Sequence, residues 1–325
     1  SGIVFDKDSG LRVTNGGKTS TIDFATANTI EDLLNTLNGA GIGLLAEINE
    51  SGTGIDVRSR DSGSDFSLGE NGGATATELG IRSLTAQTPL AELNHGRGVN
   101  VVDGNDFLIH RKDGVEFEID VSGALTIGEV LDRINNNATN LAGPVPVVAR
   151  LAAFGNGIEL VDDDLLGADP LSIKPLHFSE AALDLGLIPV GAAASAPATP
   201  GVAATGMLTV PGPNNDLVFT AKGTGTEVNG VQVLFVDSGL GAGNETVAYN
   251  TGANTLTFDI DLASTTANRA ISVLQANPLA NTYFSGSLVA ADGAPNSGNG
   301  LLDLSATATV DGGVAETLTG KDTDP

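Results

Sequence analysis

A chain of 325 residues is long enough for two or three domains, each able to bury its own core. Fifteen Lys plus Arg against forty Asp plus Glu give a formal charge of −25, which repels phosphate backbones and anionic membranes and argues against nucleic-acid and membrane partners. No cysteine is present, so disulfides, zinc fingers and thiol catalysis are excluded, and with no Trp and two Tyr there is little aromatic material to wall a ligand pocket.

The chain opens Ser1-Gly2-Ile3, without an initiator Met, a signal peptide or an apolar run long enough for a bilayer, and reads as an excised fragment. A first unit spans 1–83. Leu11 to Thr14 and Thr21 to Phe24 flank Asn15-Gly16-Gly17 as a hairpin, with the Asn-Gly pair accepting positive φ. A helix follows Thr29, with Ile30, Leu33, Leu34 and Leu37 on one face. Thr29 is its N-cap, Asp32 stands in for the usual Glu of a capping box, and Gly39 is expected in the left-handed position that ends it. Leu44–Ile48, Ile55–Arg58 and Asp65–Leu68 read as strands, and Thr77-Glu78-Leu79-Gly80-Ile81 closes the unit.

A second unit, 98–190, repeats this order. Phe107–His110 and Val115–Val121 flank an Asp113-Gly114 turn, and Thr126 with Glu129 forms a full capping box before Ile127, Val130, Leu131 and Ile134. Gly54-Ile55-Asp56-Val57 corresponds to Gly157-Ile158-Glu159-Leu160, and Glu78-Leu79-Gly80-Ile81 to Asp184-Leu185-Gly186-Leu187. Such self-similarity marks a duplicated supersecondary element.

Residues 191–205 form an Ala/Pro/Gly-rich linker without periodicity. A β-rich module, 206–320, follows with a diverged copy of the repeat, in which Thr266 precedes Ala267, Ala270, Ile271 and Leu274. The fold class is therefore α+β: tandem small domains, each a short helix packed on an antiparallel sheet, then a β-rich module.

Chemistry-bearing motifs are sparse. His95, His110 and His177 have no metal-ligand or triad neighbours in sequence, and Asp61-Ser62-Gly63 and Asp237-Ser238-Gly239 lack the strand–elbow–helix spacing of a nucleophile. Gly239-Leu240-Gly241-Ala242-Gly243 lacks dinucleotide spacing. Asp6-Lys7-Asp8-Ser9-Gly10 and Asp162-Asp163-Asp164 gather hard oxygen ligands of the kind Ca²⁺ takes, although solvated turns explain them as well. No catalytic, cofactor-binding or metal residue is assigned, and no cofactor is expected. At the helix ends, Leu37-Asn38 and Ile134-Asn135 pair an aliphatic residue that packs on the sheet with an Asn that caps or turns the chain.

Thr29 to Asn38 with Leu79-Gly80-Ile81, and Thr126 to Asn135 with Leu185-Gly186-Leu187, resemble the "hook IN" repeat of bacterial flagellar proteins: flagellins, hook–filament junction proteins and the filament cap. The resemblance covers residues 20–82 and 116–188 and reaches the third module weakly, where Leu274-Gln275 replaces the pair. It implies a non-enzymatic structural role in the outward-facing domains of an extracellular flagellar component. Other flagellar subunits would be contacted through segments missing from this fragment, which is itself expected to be monomeric. The long polymerising helices of that family are absent from these residues. A modular bacterial surface adhesin, calcium-stabilised or not, is the alternative.

Overall fold

A computed structural model describes residues 4–321 apart from 62, 64, 190–197 and 290–294. It is mixed α+β, with small, mostly antiparallel sheets and short helices. Unit one runs β1 (Leu11–Asn15), β2 (Lys18–Ile22), α1 (Ile30–Asn38), β3 (Leu44–Ile48), β4 (Ile55–Ser59), β5 (Phe66–Asn71) and the single turn α2 (Thr75–Glu78). After a short turn, α3 (Leu93–Gly96), unit two runs β6 (Phe107–His110), β7 (Glu116–Ile119), α4 (Ile127–Asn135), α5 (Ala138–Leu141), β8 (Val148–Leu151), β9 (Phe154–Gly155), β10 (Ile158–Asp162), β11 (Ser172–Pro175) and α6 (Ala181–Asp184).

The two units share one pairing scheme. β1 lies between β2 and β5, as β6 lies between β7 and β11; β3 pairs with β4 as β8 pairs with β10. The register matches too, since Val57 faces Ala46 and Leu160 faces Ala149. The duplication is therefore one of topology as well as of sequence.

The hydrophobic face of each helix does what its spacing dictates. Leu33 and Leu37 of α1 are buried against Leu11, Val13, Phe24 and Leu44, and Ile127, Val130 and Ile134 of α4 against Phe107, Ile109 and Phe117. Full burial of each such side chain contributes about 1.5–3 kcal/mol, and these contacts fix the helix on its sheet. Thr29 and Thr126 cap as expected, their hydroxyls accepting from the Asp32 and Glu129 amides. The boxes differ, however. Both acids accept from the amide before the cap, Asp32 from Asn28 at 3.0 Å and Glu129 from Leu125 at 2.7 Å, but Asp32 also takes the Thr29 amide at 2.9 Å and so closes its box.

Three local expectations are corrected. Gly39 has φ −85° and is right-handed; the left-handed residues after α1 are Gly41 and Gly43. The first hairpin turns on Gly16-Gly17, both at positive φ, which leaves Asn15 in β1, buried, donating to the Ile42 carbonyl at 2.7 Å. Asn38 and Asn135 neither cap nor turn. The Asn38 amide donates to the Ala46 carbonyl and its oxygen accepts from the Ala46 amide, both at 2.9 Å; Asn135 repeats this on Ala149, both at 2.8 Å. Each side chain thus mimics one residue of a neighbouring strand and covers the outer edge of β3 or β8.

Leu-Gly-Ile also has a local cause. Gly80, at φ +68°, ends α2 with its amide on the Thr77 carbonyl, and the Ile81 amide returns to Ala76. This is the double bond of a Schellman cap, with Ile81 folded into the core.

Unit three comprises β12 (Thr205–Leu208), β13 (Leu217–Ala221), β14 (Val231–Val236), β15 (Thr246–Asn250), β16 (Thr255–Asp259), α7 (Ala267–Ala276), α8 (Pro278–Tyr283), β17 (Phe284–Leu288), β18 (Ala308–Val310) and β19 (Glu316–Thr319). β12-β13-β17 and β15-β16-β14-β18 enclose its core, with Phe258 packed between Phe219 and Phe235, and β14 runs parallel to β16. Thr266 caps α7, and Asn277, three residues beyond Leu274, donates to the Val247 carbonyl at 2.7 Å. The strand-binding Asn is present here as well, displaced along the chain.

Strand pairing crosses the boundaries drawn from the sequence. β9 of unit two extends the β2-β1-β5 sheet, and β19 leaves the third module to pair with β10. Of the linker segment, residues 191–197 lie outside the described residues. Thr199, Val202 and Thr205 are bridged to Thr317, Val314 and Asp311.

Asn38→Ala and Asn135→Ala are each expected to lower stability by about 1–3 kcal/mol, since a strand amide and carbonyl lose their partners. Asn→Asp should do no better than Ala, because a carboxylate cannot donate to the carbonyl. Urea midpoints check both; unchanged midpoints would contradict the edge-covering role.

Candidate functional site

The densest polar construction lies at the two junctions between units. At the first, β9 sits so close to β5 that a Cβ on Gly69 would meet the Gly155 carbonyl oxygen at 2.1 Å, so only glycine permits the approach. Arg82 donates to the Ala152 carbonyl at 2.9 Å, and Asn156 accepts from the Leu84 amide at 2.7 Å. Glu70, 2% exposed, accepts from the Ala76 and Thr77 amides and the Thr77 hydroxyl, with Arg82 at 3.7 Å.

At the second junction, consecutive cations of the β6–β7 turn are buried. Arg111 donates to Asp113 and to the Asn140 and Val145 carbonyls at 2.6–2.9 Å. Lys112 reaches across to unit three, its Nζ donating to the Asp164 carbonyl at 2.6 Å and to the Thr224 carbonyl and hydroxyl at 3.0 and 3.1 Å. Gly223 packs on the Leu165 carbonyl, where a Cβ would lie 1.4 Å away. Sequence reasoning missed Arg111 and Lys112. The available signal was two adjacent cations beside Asp113-Gly114 in a chain short of cations.

The acidic clusters serve as acceptors for backbone amides. Asp6 accepts from the Asp8 and Ser9 amides at 3.2 Å and from Ala74 at 3.0 Å, tying the N-terminal segment to α2. The Ala74 amide, followed by the Ser9 hydroxyl, holds its carboxyl below the usual range. Asp162 accepts from the Lys112 and Asp164 amides, Asp163 from the Thr226 amide and hydroxyl, and Asp164 from Leu166 and Gly167. Burial raises the Asp162 carboxyl despite those donors. Among the described residues, no three or more His, Asp or Glu side chains converge as a metal site.

The histidines stay apart. His95 lies at left-handed φ 61°, His110 stands between Glu116 at 3.2 Å and Asp169 at 3.5 Å, and His177 meets the Asn105 carbonyl oxygen at 3.0 Å. Asp61 lies at the end of the β3–β4 hairpin, where its amide donates to Ser59; Ser62 is outside the described residues. The Ser238 hydroxyl donates to Asp259. Gly239, Gly241 and Gly243 all take positive φ in an exposed loop before β15.

An open depression beside α4, lined by Asn105, Glu118, Asp120, Asp132 and Arg133, is polar and internally paired. Arg133 donates to the Asp120 carbonyl at 2.6 Å, Asn105 donates to Glu118, and the Ser122 hydroxyl and amide lower the Asp120 carboxyl below its usual range. These groups can orient one another but present no nucleophile–base pair. In unit three, Glu245 is nearly buried and bonded to Arg269 Nε at 2.7 Å, to Thr265 and to the Gly243 amide. Burial opposes its ionisation, but these donors and its own amide outweigh that and depress its pKa from the ordinary 4.5 to about 2.

No helix among the described residues is long and apolar enough to cross a membrane. Comparison with protein families, with curated proteins and with solved structures finds no match.

Lys112→Met should destabilise by about 2 kcal/mol through the loss of charged hydrogen bonds, and proteolytic cleavage near Thr224 should accelerate. Unchanged cleavage would show that Lys112 does not fasten the junction. Glu245→Gln should cost about 2 kcal/mol at neutral pH. A depressed folded pKa contributes stability that is present above the unfolded value and lost as pH falls through the folded one. The difference from the parent chain should therefore shrink from pH 4.5 towards 2 in thermal melts.

Proposed function

We propose that this chain is a structural, non-enzymatic part of the bacterial flagellum: the outward-facing domains of a hook-associated protein (junction or cap) or of a flagellin-like protein. It would stand outside the cell, with other flagellar subunits as its partners. The observation that carries this reading is the duplicated unit itself. In both copies a Thr-capped helix ends in an Asn that binds the next strand edge, and Leu-Gly-[Ile/Leu] closes the fold. These are the residues on which the resemblance to the hook IN repeat rests.

The junctions support the same reading. Arg82 and Lys112 are spent on joining units, which suits a protruding body that must keep its shape under load rather than open around a substrate. The acidic surplus keeps neighbouring copies of such a body from adhering through their outer faces.

Antibodies raised against residues 1–325 should label isolated flagella in immunoelectron microscopy of the bacterium that encodes the chain. The position of the label, along the filament, at the junction or at the tip, then distinguishes the component. Bare flagella with label spread over the cell surface would overturn this reading in favour of an adhesin.

A further inference from the structure

The two copies differ in one respect that the duplication makes visible. In unit two the outer edge of β10 is paired by β19, with Leu318 opposite Leu160 and Thr319 opposite Glu159. The Leu318 side chain is wholly buried in the unit-two core, the Gly320 amide donates to the Ile158 carbonyl, and the Lys321 amide donates to that of Gly186. In unit one β4 holds the place of β10 and Gly80 that of Gly186. Among the described residues, no strand pairs with the outer edge of β4.

A groove runs there instead, lined by Ile55, Val57, Phe66, Leu68, Gly80 and Ile81. By register these correspond to Ile158, Leu160, Leu171, Ile173, Gly186 and Leu187. Ile158, Leu160 and Leu171 are at most 1% exposed, whereas Ile55, Val57 and Phe66 are only half-buried. The apolar positions that Leu318 seals in one copy are kept apolar in the other without that seal. An exposed strand edge beside a groove that offers apolar side chains along its floor, here with Asp56, Arg58, Arg82 and Ser83 also in the lining, is an arrangement that accepts an added strand.

We infer that the β4 edge of unit one is a strand-acceptor site for an extended segment of another polypeptide with the chemistry of β19. That segment carries an aliphatic residue flanked by Thr and followed by Gly. Its strand runs antiparallel to β4, its aliphatic side chain enters between Val57 and Phe66, and its glycine passes between Ile55 and Gly80. Glycine is required at that place, because in unit two a Cβ on Gly320 would lie 2.9 Å from the Ile158 carbonyl oxygen and 3.1 Å from that of Gly186. A second copy of this chain is a poorer donor, since lending its own β19 would uncover its unit-two core. The inference rests on the internal comparison of units and not on the flagellar reading, so either can fail alone.

The test is to titrate a synthetic peptide of residues 314–321, Val-Ala-Glu-Thr-Leu-Thr-Gly-Lys, onto the whole chain and follow amide hydrogen exchange. Exchange over Ile55–Ser59 should slow at least about tenfold, as expected for newly bonded edge amides. Val57→Lys in the protein should abolish the effect, as should a peptide carrying Leu318→Lys, which leaves the protein's fold untouched. Unchanged exchange at millimolar peptide, or a response confined to Ile158–Asp162, would overturn the proposal. So would concentration-dependent protection of Ile55–Ser59 without peptide, which would make the occupant a second copy.

Discussion

Backbone pairing between units is the constraint on which this molecule depends. A small domain buries a smaller fraction of its surface than a large one and is correspondingly marginal, so a strand supplied from outside the unit adds weight to it. Unit one gains β9 from unit two, and unit two gains β19 from the far end of the chain. Each exchange satisfies a row of backbone groups and covers part of a core at once. The glycines at the contacts, Gly69 against Gly155 and Gly223 against Leu165, allow backbones to approach where any side chain would hold them apart. The units are therefore linked in stability although each has its own hydrophobic cluster.

Within each unit, the helix is held at both ends by short polar side chains. Thr accepts from the first-turn amide, and Asn at or just beyond the last turn bonds the edge of the adjacent strand. The apolar stripe sets which face of the helix meets the sheet but leaves sliding and rotation weakly determined. Two directional anchors remove that freedom. The Asn bond also covers a strand edge that would otherwise face water or another chain.

Electrostatics follows from the shortage of cations. With forty acidic groups and fifteen Lys plus Arg, most carboxylates cannot find an ion-pair partner. The chain turns many of them to backbone amides at caps and turns, as Asp6, Asp32 and Asp164 illustrate. The few cations are concentrated where backbone carbonyls need donors, as with Lys112 and Arg111. A protein arranged this way commits much of its polar chemistry to holding its shape.

Much of this was legible in the sequence because it depends on local periodicity. The apolar spacing after Thr29, Thr126 and Thr266 specified three helices, Thr specified their caps, and the matching blocks specified a duplicated α+β unit. The role of Asn38 and Asn135 was not legible, since a side-chain amide at a helix end bonds a strand only once that strand is folded beside it. The same holds for Asn15, displaced from the turn by Gly16-Gly17, and for Glu129, which takes the Leu125 amide before the cap. Nor could residue order reveal that β19 belongs with β10, or that Lys112 reaches Thr224. Those contacts join positions more than a hundred residues apart, and their partners are set by which edges remain uncovered after local folding. Periodicity along the chain determined the elements and their repetition; the competition for backbone partners in three dimensions decided how the units were joined.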